Sequence, residues 1–159
     1  MRIFVVSDTH GYIGEFLNKF SIIEKPNLII HLGDYVKDGI EIEKETGVKT
    51  LVVKGNGDYF QLGYNEDEIF NIEGKKIFVT HGHIYNVRYG LNNLVYKGQE
   101  INADLILFGH THIPILIQEN DTIIMNPGSP SMPRGFDRKN TFGIIEIDEN
   151  ISGQIIEIN

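Results

Sequence analysis

Ile3-Phe4-Val5-Val6-Ser7-Asp8-Thr9-His10-Gly11 opens the chain with four apolar residues, followed by a carboxylate and an imidazole two positions apart. An unbroken apolar run has no polar face, which predicts a strand covered on both sides. The pattern recurs: Leu28 to Ile30 leads into Gly33-Asp34, Leu51 to Val53 into Gly55-Asn56, and Leu105 to Phe108 into Gly109-His110. Helices must cover such strands. Ile13, Phe16, Leu17 and Phe20 recur at helical spacing and stop before Pro26, and a second helix is expected over about 38–46, ended by Gly47.

Farther along, Ile69 to Ile72 and Ile77 to Val79 flank Glu73-Gly74-Lys75-Lys76, a hairpin signal, and Leu91, Leu94 and Val95 predict a helix before Leu105. The last third reads as β, over 113–118, 123–125, 142–147 and 154–158, with turns at Glu119-Asn120-Asp121 and Glu149-Asn150. Strands alternating with helices, then antiparallel strands, imply two mixed sheets packed face to face with helices outside. The segment from Pro127 to Lys139 is the one long loop, and loops of that length in compact domains are often functional.

At 159 residues the chain fits a single domain, 1–159. It has no cysteine, which removes disulfides, thiolate metal sites and cysteine nucleophiles. The apolar run before Asp8 is too short for a signal segment or membrane span, so a cytoplasmic location and no membrane partner are expected. A net charge of −8 with scattered Lys and Arg disfavours long nucleic acid, which needs a basic footprint to release counterions.

The polar residues at the strand ends are of few kinds. Asp8 and His10 follow the first strand and point to one side if the extended conformation persists; Asp34, Asn56, His81, and the pair His110 and His112 follow later ones. Ligands of open α/β sheets gather at the carboxyl ends of strands, so these groups can converge on one crevice. A lone Asp or His at a strand end is ordinarily a cap. Five strand ends bearing only Asp, Asn and His make coincidence a poor account. Mixed carboxylate, amide and imidazole donors without thiolate describe a hydrolytic metal centre rather than a structural one.

Asp8-Thr9-His10, Gly33-Asp34, Gly55-Asn56-Gly57-Asp58, Thr80-His81-Gly82-His83 and Gly109-His110-Thr111-His112 together resemble the motifs of the calcineurin-like metallophosphoesterase superfamily, in the family's order. Chain length and Asn126-Pro127-Gly128-Ser129 look like its short prokaryotic YfcE-like phosphodiesterase branch. The resemblance implies a four-layer αββα sandwich of α/β class, and two divalent ions bridged by Asp34. Asp8, His10 and His112 would complete one site, and Asn56, His81 and His110 the other. It further implies hydrolysis of small phosphodiesters by a hydroxide held between the ions, with Mn²⁺ favoured and Ni²⁺, Co²⁺, Fe²⁺ or Zn²⁺ also admitted by the donor set.

One departure stands out: many relatives carry histidine where Gly57 lies, which puts cleavage of poor leaving groups in doubt. His83 is the nearest substitute as a catalytic or substrate-binding group, with Asp34 and Asn56 as the other catalytic candidates. Arg134 is a candidate fork for substrate phosphate. Asp58 either orients a ligand or ends the turn, and His31, inside an apolar run, reads as a packed histidine. The competing readings are a phosphomonoesterase of the same superfamily and a non-catalytic scaffold like the retromer subunit that shares the fold. A homo-oligomer stays open.

Overall fold

The computed structural model describes residues 1–158. One sheet has the order β10-β9-β1-β2-β3, built from β1 (Arg2–Val6), β2 (Leu28–His31), β3 (Thr50–Val52), β9 (Thr141–Ile147) and β10 (Ile151–Glu157). The other has the order β4-β5-β6-β8-β7, from β4 (Asp67–Ile72), β5 (Lys75–Thr80), β6 (Leu105–Leu107), β7 (Ile115–Glu119) and β8 (Thr122–Asn126). Each has three parallel strands: β1-β2-β3 reaches one edge of its sheet, with antiparallel β9 and β10 on the other side, and β5-β6-β8 is central, flanked by antiparallel β4 and β7.

The layering follows from the two-residue alternation of side chains along a strand. Ile3, Val5, Ile77, Val79, Leu105, Leu107, Met125 and Ile145 meet in the core between the sheets. Their sequence neighbours point the other way: Phe4, Val6, Ile29, Phe142 and Ile144 pack with Phe16 and Phe20 of α1 (Gly14–Ile22) and Ile42 of α2 (Val36–Thr46). Phe78, Ile106, Phe108 and Ile124 pack with Leu94 of α3 (Asn92–Glu100). Helix, sheet, sheet, helix is the four-layer arrangement expected, and the unbroken apolar runs are what a strand covered on both faces requires.

Several boundaries differ from the sequence reading for stated reasons. β3 is only half-buried because it is an edge strand. The hairpin turn is confined to Glu73 and Gly74, both at positive φ, and Lys75 and Lys76 are already paired with Ile72 and Asn71. β7 begins two residues late, after Pro114, and β10 three residues early, at Ile151. The helix α2 ends at left-handed Gly47 as expected, but it starts at Val36, whose N–H is accepted by Asp58 Oδ1 at 2.8 Å. That cap comes from 22 residues away and leaves no local signal.

Candidate metal centre

All six parallel strands end at one edge of the molecule, and every candidate ligand sits in the connections that leave them. The extended course expected from Asp8 to His10 does not persist: both are left-handed, with φ of 56° and 48°. Asp34, His110 and His112 share that conformation, at 43°, 68° and 59°. Non-glycine residues there cost on the order of 1 kcal/mol each, and such strain collects at functional sites. It turns the side chains inward instead of along the strand direction.

The inward atoms form two overlapping groups, Asp8 with His10 and His112, and Asp8 with Asp34 and His81, each group within 4.8 Å. His10 Nε2 lies 3.3 Å from His112 Nε2, and His110 Nδ1 lies 3.2 Å from His81 Nε2. Asp34 Oδ2 is 3.9 Å from His10 Nε2 and 3.6 Å from His81 Nε2, between the two groups. Asp8 Oδ1 is central too, 3.2 Å from His112 Nε2 and 3.9 Å from His81 Nε2, which spacing along the chain could not reveal.

The protonation states follow from the outer contacts. His81 Nδ1 is 2.7 Å from the Leu32 carbonyl and His112 Nδ1 is 2.7 Å from the Met132 carbonyl. A carbonyl only accepts, so both Nδ1 atoms carry a proton and both rings are held with Nε2 facing inward. Burial pushes the His10 imidazole below its ordinary value, and pushes His110 to about 4, so both are neutral at pH 7. Burial pushes the Asp8 carboxyl up, but His112, His81 and the Ser7 hydroxyl outweigh it and hold the group below the usual range as an anion. Its Oδ2 accepts from Ser7 Oγ at 2.6 Å and the His110 N–H at 2.9 Å, whereas the buried Oδ1 has no hydrogen-bond donor. A buried anionic oxygen without a donor, ringed by inward-facing imidazole nitrogens, fits divalent cations held by Asp8, His10, Asp34, His81, His110 and His112.

Glycine permits this closeness at two positions. A Cβ on Gly109 would lie 2.0 Å from Ser7 Oγ and 2.8 Å from Asp8 Oδ2. One on Gly57 would lie 2.9 Å from Asp34 Oδ1, the atom that accepts the Gly57 N–H at 2.7 Å.

Other expected residues lie farther out. Asn56 stands at the start of the short turn 56–58 with its amide exposed, beside the Gly57 that binds Asp34. The His83 ring is 5.4 Å from that of His81 and 6.1 Å from that of His110; its Nε2 is 3.5 Å from Glu66 and its buried Nδ1 has no partner. Arg134 is tied to the site only through its backbone, whose N–H is accepted by His112 O at 3.0 Å, while its side chain is exposed. His31 is packed, as expected, between the Gly33 N–H and Thr9 Oγ1.

The supporting residues were mostly unforeseen. Ser129 Oγ donates to Asp8 O and Ser131 Oγ to Thr9 O, both at 2.8 Å, and Asn126 Nδ2 donates to Gly109 O at 2.8 Å. The loop that follows β8 therefore staples the strand ends carrying Asp8 and His110. Asn126-Pro127-Gly128-Ser129 was the only sequence signal for it. Asp38 Oδ2 accepts the Gly11 N–H at 2.7 Å in the same manner.

Comparison with known proteins identifies the family. The family model for the calcineurin-like phosphoesterase superfamily domain matches residues 1–150. A probable metallophosphoesterase of Methanocaldococcus jannaschii is 39% identical, covering 84% of this chain and 70% of its own. The phosphodiesterase YfcE of Escherichia coli is 26% identical, covering 85% and 82%. The solved structure of a Streptococcus pneumoniae protein, described as a predicted phosphoesterase, superimposes with a TM-score of 0.83 at 32% identity, covering 99% and 89%. With the motifs in place at the ends of the parallel strands, the chain belongs to the calcineurin-like phosphoesterase superfamily.

Proposed function

We propose that residues 1–159 act as one domain that hydrolyses small phosphodiesters with two divalent cations, Mn²⁺ foremost. The observation that carries this is the buried Asp8 Oδ1, without a donor and facing the inward-held Nε2 atoms of His112 and His81. Asp8, His10 and His112 would hold one cation, His81, His110 and Asn56 the other, with Asp34 shared. Such cations supply Lewis acidity toward a phosphoryl oxygen and lower the pKa of water from about 15.7 toward 7.

The chain's own residues then set the orientation and the selectivity. Asn56 contributes a neutral oxygen, so two carboxylates leave the centre cationic and attractive to a phosphodiester within a chain of net charge −8. His83, when its Nε2–H faces Glu66, presents Nδ1 to the site. Burial lowers its affinity for a second proton, so it is a weak general acid at neutral pH. With Gly57 offering no side chain, good leaving groups are favoured. The Arg134 guanidinium, on the loop anchored to His112, would have to swing inward to reach a phosphate oxygen.

A diester substrate is supported by the likeness to YfcE and by the lack of a side-chain acid at Gly57. The test uses metal-stripped protein supplied with Mn²⁺, Ni²⁺ or Mg²⁺, on p-nitrophenyl diester and monoester substrates. Metal-restored turnover with diester exceeding monoester is expected. Monoester turnover exceeding diester shifts the reading to a phosphomonoesterase, and no turnover despite bound metal defeats the enzyme reading.

A further inference from the structure

A cavity of about 620 Å³, whose lining includes Gly11 next to His10, is walled by Tyr12, Ile13 and Glu15 and by Pro130, Met132 and Asn140. Both walls are joined to the site along the chain. Tyr12 is two residues beyond His10, and the Met132 carbonyl is the acceptor that fixes His112. Whatever alcohol is esterified to a phosphate held by the cluster has this space next to it, and its size suits a small organic group.

The lining selects by charge. Tyr12 and Met132, 65% and 45% exposed, present an aromatic face and a polarizable thioether. Among the described residues Glu15 is the only charged one of the lining, and Asn140 Nδ2 donates to one of its oxygens. The basic residues Arg134, Arg138 and Lys139 line a separate pocket. An anionic substituent meets repulsion here. A cationic head on an apolar stem meets a carboxylate and a π face.

We propose that this cavity is a subsite for a phosphodiester substituent that ends in an ammonium group. The proposal rests on the phosphodiesterase reading, and it is tested first without turnover. Choline and its neutral isostere 3,3-dimethylbutan-1-ol are titrated into metal-free protein while the NMR signals of Tyr12, Ile13 and Met132 are followed. Choline should bind about fivefold or more tightly than the isostere, the order of an exposed cation–π contact plus a carboxylate. Glu15→Gln, an exposed substitution in the first turn of α1, and Tyr12→Leu should each lower the ratio, and the double variant should bring it close to one. The second readout compares kcat/KM for p-nitrophenyl phosphate diesters whose other substituent is choline, 3,3-dimethylbutyl or methyl. The choline diester should lead in the wild type, lead by less in Glu15→Gln and lose its lead in the double variant, with the methyl diester unchanged in every variant. Equal binding of choline and the isostere, or a preference undiminished in Glu15→Gln, overturns the subsite. Loss of methyl diester turnover in the wild type reports instead on the phosphodiesterase reading.

Discussion

Asp58 Oδ2 accepts the backbone N–H of Asp34 at 2.9 Å, so the carboxylate that closes one loop holds the ligand of another. The same oxygen accepts the Gly55 N–H at 2.9 Å, and Oδ1 takes the Val36 N–H. One buried side chain thus joins the connection after β2, the turn carrying Asn56 and the first turn of α2.

Removing Asp58 should cost both stability and metal affinity. Asp58→Ala leaves three main-chain donors without their acceptor, worth about 3 kcal/mol in total at roughly 1 kcal/mol each, or a Tm lower by about 6–12 °C. Loss of a group that orients ligands typically weakens metal binding 10–100-fold. Calorimetric metal titration and thermal melts check both, and Asp58→Asn, which keeps one acceptor oxygen, should fall between. Wild-type metal affinity in Asp58→Ala would show that Asp34 does not depend on this clamp.

Asp8→Asn should separate function from stability. In the metal-free protein His112, His81 and Ser7 hold the Asp8 carboxyl below its usual range, so at neutral pH the fold favours the anion and gains stability from it. The metal-free variant should therefore melt slightly below metal-free wild type. Cations at 100 times their Kd stabilise a protein by about 2.7 kcal/mol, and the variant should lose that gain together with its activity. A metal-free variant that melts higher than wild type would contradict this account of the cluster.

Gly57→Ala tests whether the missing side chain is a steric requirement. The added Cβ lies 2.9 Å from Asp34 Oδ1, so the carboxylate must give by a few tenths of an ångström, and its bond from the Gly57 N–H lengthens. Metal affinity should fall, with kcat/KM on a p-nitrophenyl diester down about tenfold, the scale of a 1.4 kcal/mol loss. Undiminished affinity would mean that Asp34 moves freely, and that Gly57 matters only through the leaving group.

The layers were legible because each rests on a local pattern. Apolar runs such as Ile3 to Val6 announce strands covered twice, and alternate residues fill separate cores. The ligands were legible because their residue types are restricted at the strand ends. What stayed hidden is non-local: the Asp58 cap on α2, the Leu32 and Met132 carbonyls that orient two histidine rings, and the serine staples at 129 and 131. Backbone carbonyls carry no side-chain signature. The central position of Asp8 depends on left-handed turns that the simple alternation rule for strands does not anticipate.

His31 makes the metal-free protein sensitive to acid. Its Nδ1 accepts the Gly33 N–H at 3.3 Å, so the neutral ring carries its proton on Nε2, which donates to Thr9 Oγ1 at 3.0 Å. Burial pushes the imidazole down to about 4 from 6.5, only partly opposed by Asp38, Asp8 and Asp58. Between those values the unfolded chain binds the proton and the folded one does not, so stability rises with pH across the window. The contribution is complete above about 6.5 and is lost as pH falls toward 4; at about 1.36 kcal/mol per unit, it amounts to roughly 3 kcal/mol. His10, His83 and His110 are shifted in the same direction, so the measurement is the difference between wild type and His31→Asn. Denaturant unfolding of both metal-free proteins from pH 7.5 to 4 should show wild type losing more stability than the variant; parallel pH profiles would mean that the buried ring takes up its proton without cost to the fold.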